Sequence, residues 1–218
     1  MESRTDAASL RACPVCGARL TGTPTRRCPN RWCQRHDRGF SVVFPVGVHG
    51  GALRHGVLRY KYRQESWWAK AFAGAVARHL RTNSTWFEDF DLITGVPAYT
   101  GPGARRRWDP VGGVLRELEA MVGPEWEVVE GVAVKTRETP PMTRLGRAER
   151  RAVAEGPLRR SLHVARPEVI AGARVLLVDD VMTEGSTLRE VATVLRLAGA
   201  VEVAGLVLAR LQWSAGLS

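Results

Sequence analysis

The sequence predicts an α/β protein: a mostly parallel sheet with flanking helices, and a small cysteine-bearing segment toward the N-terminus. Three observations carry this. Runs of strand character alternate with runs of helical period through most of the chain, which places a crossover helix between successive strands. Val175 to Val178 is apolar at every position and rich in branched residues, as a central strand covered on both faces must be. The 218 residues, 44% of them hydrophobic, suffice to bury one domain's core and support an appendage.

Residues 41–46 read as the first strand and 47–51 as a turn. Residues 52–62 read as a helix ending in Leu58-Arg59-Tyr60-Lys61-Tyr62. Residues 67–80 form a second helix, with Trp68, Phe72, Val76 and Leu80 on one face. Residues 91–96 are the next apolar strand, stopped by Pro97. A helix over 111–121, a strand over 127–134 and a basic helix over 144–154 follow. Strand 174–178, helix 186–198 and strand 201–208 complete the alternation. In that last helix Leu188, Val191, Ala192, Val194 and Leu195 recur at helical spacing, and Gly199 marks its stop.

Composition narrows the partners. A net charge of +10 and a pI near 10.4 point to an acidic ligand, either a polyphosphate-bearing small molecule or nucleic acid. Residues 135–166 hold nine basic side chains against three acidic ones, a basic tract that can equally be a solvated helix face. No apolar stretch approaches the roughly 20 residues that cross a bilayer, and residues 1–12 lack the apolar middle of a signal peptide. The expectation is a cytoplasmic protein without membrane insertion, in a compartment that favours metal-bound or free thiols over disulfides.

All four cysteines lie within residues 13–33, as Cys13-Pro-Val-Cys16-Gly17 and Cys28-Pro-Asn-Arg-Trp-Cys33. A Cys-x-x-Cys turn before glycine lets two thiolates converge on one ion, and the second pair can complete a tetrahedron. Zinc is the expected ion, in a closed and therefore structural site that fastens a segment too short to fold alone. A redox Cys-x-x-Cys is the rival reading, and His36 stands close enough to replace one thiol. The expected division is a zinc-binding knuckle over 1–40 and the main domain over 41–218.

The segment 175–187 carries the chemistry. Its strand is expected to end at Asp179 and Asp180, where open α/β sheets place ligands. Thr183, Gly185, Ser186 and Thr187 then offer hydroxyls and unhindered backbone N–H groups at a helix N-terminus, a place for an anion. Two carboxylates beside such a turn point to a sugar phosphate. A Walker-type loop is excluded because no Lys precedes the hydroxyl residue. The plainer alternative is that the two acids only cap the helix.

This stretch resembles the phosphoribosyl pyrophosphate motif of type I phosphoribosyltransferases. The resemblance implies that Asp179 and Asp180, the candidate catalytic residues, take the ribose hydroxyls, and that Thr183, Glu184, Gly185, Ser186 and Thr187 wrap the 5-phosphate. Glu184 stands where the family usually has Thr. Nearly the whole chain resembles the ComF family of competence-associated phosphoribosyltransferase-like proteins. Lys61-Tyr62, Val96-Pro97, Arg105-Arg106-Arg107, the acid pair and Val207 to Arg210 fall in the family's order behind the cysteine knuckle. By that resemblance Arg105, Arg106 and Arg107 close over the pyrophosphate, and magnesium is held mainly by the donor's own oxygens. The chain departs from the family at Arg107-Trp108-Asp109-Pro110, and at Thr139, which is followed by Met142 instead of Gln.

Several functions compete with transfer. A glutamine amidotransferase contains this kind of domain, but its nucleophilic cysteine has no counterpart when all four thiols belong to the knuckle. His49, His55, His79 and His163 read as scattered surface or satisfied core residues. Single-stranded nucleic-acid binding, as a DNA-uptake component, rests on Tyr60-Lys61-Tyr62-Arg63, Trp67-Trp68 and the knuckle's Arg26, Arg27, Arg31 and Arg35. Trp68 fits a core helix face better than a stacking platform. A sensor that binds the donor without turnover is the third possibility.

Overall fold

A computed structural model describes residues 12–20, 28–141 and 145–212. Five parallel strands form the sheet in the order β1-β7-β6-β2-β3. These are β1 (Val43–Val48), β2 (Leu92–Gly95), β3 (Glu127–Val128), β6 (Arg174–Met182) and β7 (Glu202–Arg210). The two remaining strands, β4 (Ala133–Lys135) and β5 (Leu162–Val164), pair antiparallel outside it. The helices are α1 (Gly51–Arg63), α2 (Trp67–Thr82), α3 (Pro110–Val122), α4 (Arg147–Val153), the short α5 (Pro167–Ile170) and α6 (Ser186–Leu197).

The continuous apolar runs follow from burial on both faces. Along β6, Val175 and Leu177 point to α6 and the cysteine segment, whereas Leu176 and Val178 point to α2 and α3. β7 alternates the same way, Val203 and Val207 on the first face, Ala204, Leu206 and Leu208 on the second. Gly205 keeps the first face tight, since a Cβ there would lie 2.6 Å from Leu188 Cδ2. On the opposite face Phe72, Val76 and Leu80 of α2 are buried, and Trp68 lies half-buried across Gly56 of α1. The core reading of that face is borne out.

Three expected elements differ. The strand expected over 127–134 divides, because Gly131 takes φ +69° and turns the chain out of the main sheet. Glu127 and Val128 pair with β2, while Ala133 to Lys135 pair with β5. Strand β6 does not end at the acids. It runs through them to Met182, since Asp179 still registers with Val207 and Val181 with Ala209. The basic helix spans Arg147–Val153 and passes into a wider turn over Ala154–Leu158, where Pro157 supplies no N–H for a regular helix. Arg26, Arg27, Met142 and Arg144 lie outside the described residues. No helix among the described residues is long and apolar enough to cross a membrane.

Leu177 is fully buried between β6's neighbours and α6. Leu177→Ala should therefore cost about 2–5 kcal/mol in urea unfolding, with an unchanged denaturant slope.

Candidate functional site

Because β6 continues past Asp179 and Asp180, both carboxylates sit within the strand near its C-terminal end. They face a cavity of about 470 Å³. Each folds back on the backbone: Asp179 Oδ1 accepts from Asp180 N at 2.8 Å, and Asp180 Oδ1 from Val181 N at 2.6 Å. Across the cavity Lys61, on the last turn of α1, places Nζ 2.7 Å from Asp180 Oδ2. Val57, Leu58, Tyr62, Val96, Pro97 and Leu211 form much of the apolar wall.

The charge balance of this cluster is uneven. Burial, and next the Asp180 carboxylate, push Asp179 up to about 8. Burial also works against the charge on Lys61, but Asp180 beside it overcomes this and holds the ammonium above its ordinary value. Asp109 caps α3 by accepting from Val111 N at 2.9 Å, and burial raises its carboxyl too. The resting site therefore holds one firm ion pair and a carboxyl, Asp179, largely protonated at neutral pH.

After Met182 the chain turns into α6. Gly185 takes φ +87°, and its carbonyl accepts the first helical bond from Arg189 N at 2.8 Å. The N–H groups of Ser186, Thr187 and Leu188 precede the first regular helix bonds and are free for a ligand's oxygens. Ser186 Oγ is buried without a hydrogen-bond partner among the described residues. A cavity of about 30 Å³ lies against Thr183, Gly185, Ser186 and Thr187. It has room for roughly two or three water-sized spheres, the scale of a phosphate group. It shares Arg150, Asp179, Val181, Thr183 and Thr187 with the larger cavity. Glu184 lines neither cavity; it is buried, and its carbonyl accepts from Asn30 Nδ2 at 2.9 Å.

The arginine triplet is not brought together at the acids. Arg106 lines the acid cavity, with its guanidinium 5.8 Å from the Tyr62 ring. Arg105 instead donates to Thr139 O at 2.8 Å, its backbone N–H bonds Glu138, and Arg107 lines neither cavity. The loop bends at Arg105 and Arg107, and of the three side chains it is Arg106 that lines the acid cavity. A third cavity, about 450 Å³, lies behind the 97–101 loop and is lined by Tyr99, Asp109, Glu130 and Lys135.

Sequence reasoning missed Lys61, Arg150 and His49 as site residues. Lys61 had a signal in the Lys61-Tyr62 pair that the family resemblance singles out; the preceding Tyr60 is buried with its hydroxyl on Pro110 O at 2.8 Å. His49 lines the acid cavity, with Nδ1 buried and without a hydrogen-bond partner among the described residues; burial first, then Arg54 and Lys61, lower its affinity for a proton. His79 Nε2 is likewise buried without a partner, so neither is a satisfied core histidine.

The four thiols converge as expected. One Sγ from each of Cys13, Cys16, Cys28 and Cys33 lies within 4.8 Å of the others, and Cys16 and Cys28 Sγ are 3.6 Å apart. That is far too long for a disulfide and close to the roughly 3.8 Å edge of a tetrahedron with 2.3 Å zinc–sulfur bonds. His36 is not among them. Hydrogen bonds from the other thiols, then the Arg210 guanidinium, hold Cys16 well below its ordinary value. Arg210 is fully buried and pairs with no carboxylate among the described residues; it reaches Cys16 Sγ at 3.5 Å. A buried cation needs an anion nearby, and a metal-bound tetrathiolate is one. The donor set fits zinc.

Residues 126–212, about two-fifths of the chain, match the family profile of the phosphoribosyl transferase domain. This segment is similar to a phosphoribosyl transferase domain. It contains the acid pair and the 183–187 turn, and leaves the cysteines, Lys61 and Arg106 outside. Among solved structures, an allosteric regulatory enzyme of purine biosynthesis is similar at 24% identity over 64% of this chain, with a TM-score of 0.37. A glutamine phosphoribosylpyrophosphate amidotransferase from B. subtilis, complexed with ADP and GMP, is similar at 23% identity over 69% of this chain, with a TM-score of 0.41. The chain covers 25% and 30% of those two proteins. No curated protein matches it.

Two outcomes follow. The purified chain should carry one zinc ion, which Cys16→Ser should release with a fall in Tm, read by metal analysis and calorimetry. Asp179 binds its proton more tightly folded than unfolded, so its contribution to stability is complete below about pH 4 and is lost as pH rises through about 8. Asp179→Asn should thus unfold near the wild-type temperature at about pH 4 and several degrees above it at about pH 9.

Proposed function

We propose that the acid cavity and the adjoining turn bind phosphoribosyl pyrophosphate with magnesium, and that the protein transfers the phosphoribosyl group to an acceptor. The observation that carries this is the shared wall of the two cavities. Asp179 and Thr187 border both, so one ligand can set ribose hydroxyls on the acids and its 5-phosphate on the 183–187 turn. The family match over 126–212 supports the same reading.

In this reading Asp179 and Asp180 accept hydrogen bonds from the ribose hydroxyls, and Lys61 holds the Asp180 carboxylate in place until the ligand arrives. Thr183, Ser186 and Thr187 orient the phosphate with hydroxyls, and the α6 N-terminus with N–H groups. Glu184 serves by its backbone alone, its carboxylate lining neither cavity. Arg106 is positioned to meet the leaving pyrophosphate; Arg105 and Arg107 reach it only if the loop moves. Magnesium, when bound, neutralises charge on the leaving group, and carboxylate oxygens suit it. Departure of pyrophosphate from the anomeric carbon leaves an oxocarbenium-like centre for the acceptor's electron pair, so the chain provides no covalent nucleophile.

We further place the whole chain in the ComF family, with a zinc knuckle over 1–40 against a phosphoribosyltransferase-like domain over 41–218. The order of its motifs supports that reading, and a zinc–thiolate site suits a reducing cytoplasm. A sensor would use the same residues without turnover. A single-strand reading retains the exposed rings of Tyr62 and Trp67, but Tyr60 is in the core and Lys61 is engaged by Asp180.

Calorimetry with phosphoribosyl pyrophosphate and magnesium tests the site. Asp180→Ala should weaken binding roughly tenfold or more, the loss of a charged hydrogen-bond acceptor; full affinity in that variant refutes the assignment. Pyrophosphate release with added bases or amines then separates a transferase from a sensor. Salt-sensitive binding of a single-stranded oligonucleotide without donor binding would favour the nucleic-acid reading.

A further inference from the structure

Between the tetracysteine cluster and the turn lie two polar side chains that neither the metal geometry nor the ligand chemistry requires. Arg210, the last residue of β7, is fully buried. Its Nε donates to Cys16 O at 3.0 Å, while Nη1 donates to Met182 O at 3.2 Å and to Thr183 O at 2.5 Å. Asn30, between Cys28 and Cys33, is 2% exposed. Its Oδ1 accepts from Trp32 N at 3.1 Å, and its Nδ2 donates to Glu184 O at 2.9 Å. The first cysteine pair thus holds the entrance of the turn through Arg210, and the second pair holds its middle through Asn30. A third link lies just beyond, where the guanidinium of Arg189, on the first turn of α6, sits 4.4 Å over the buried Trp32 ring.

We propose that Arg210 and Asn30 are positioning residues that lock the 182–184 backbone to the cysteine cluster, so that metal occupancy sets the shape of the turn and its affinity for a sugar phosphate. The consequence for affinity rests on the ligand reading above; the mechanical link does not. The cysteine segment is too short to hold its own shape without an ion. When the ion leaves, the Cys16 carbonyl and Asn30 lose their fixed positions, and the Arg210 guanidinium loses its anionic neighbour in a buried setting. Carbonyls 182 to 184 then lose the donors that hold them. The peptide units of those carbonyls carry the N–H groups of residues 183 to 185, and holding them fixes the path by which the chain enters α6 at Ser186, where the free N–H groups begin.

Hydrogen exchange of the full chain, with metal bound and after chelation under reducing conditions, reads the turn directly. Metal release, followed with an indicator dye, should speed exchange of the 183–187 amides about tenfold or more while β2 and α3 keep their protection. Asn30→Asp keeps the acceptor for Trp32 N and loses the donor to Glu184 O. It should retain zinc yet show faster exchange over 183–187, and phosphoribosyl pyrophosphate should bind it more weakly. Arg210→Lys keeps the charge but cannot span both sets of carbonyls, so it should not restore the turn; if it fails to fold, chelation of the wild type and Asn30→Asp still decide. Unchanged exchange over 183–187 after metal release would overturn the proposal, as would an equal rise across β2 and α3, which would make the metal a general stabiliser. Failure of the sugar phosphate to bind the metal-loaded wild type would refute the ligand reading and leave the exchange result standing.

Discussion

A guanidinium buried at the end of β7 is the contact on which both special parts of this molecule depend. Arg210 meets no carboxylate among the described residues; it is held by carbonyls of the cysteine segment, of the turn after β6 and of its own neighbour Leu211. Such a charge is tolerable inside a protein only with a compensating anion and full hydrogen bonding. The thiolate cluster answers the first need and the carbonyls the second. The arrangement makes the cysteine segment part of the core, with Cys13, Cys16, Ala18 and Cys28 packed among side chains of α6, β6 and β7.

The acid cavity follows a second economy of charge. Asp179 and Asp180 stand on adjacent residues of one strand, and Lys61 makes its ion pair with Asp180. Burial and the neighbouring charge leave Asp179 holding its proton. Under the proposed reading, ribose hydroxyls donating to that carboxyl shift the balance, since hydrogen bonds to the charged form favour it. Glu184, a third carboxylate which the family resemblance sets in the anion-binding turn, is removed from the cavity by its burial, and Asn30 holds its backbone from behind. The apolar wall of Val57, Leu58, Val96 and Pro97 lowers the local dielectric and strengthens each remaining interaction.

Much of this was legible along the chain because it is encoded locally. Val175 to Val178 reads as a doubly covered strand from composition, Ser186 to Leu195 as its helix from period, and the cysteine spacing as a convergent ligand set. The division of 127–134 was not legible, since Gly131 is one glycine in a run of β-forming residues and only the edge of β2 decides where pairing stops. Nor was the unequal fate of Arg105, Arg106 and Arg107, which depends on where Tyr62, Glu138 and Thr139 come to lie.

By itself the sequence determined the α/β class, the identity of the acid pair and its turn, and the cysteine ligand set, because each is written in neighbouring residues and obeys a fixed period or spacing. Tertiary structure alone decided that Lys61, some 120 residues from Asp180, neutralises it, and that Arg210 and Asn30 join the cysteines to the turn. The physical reason is the sheet order. Placing β7 between β1 and β6 brings together segments that no local pattern relates, and burial there makes each polar side chain find its partner from whatever part of the chain the fold delivers.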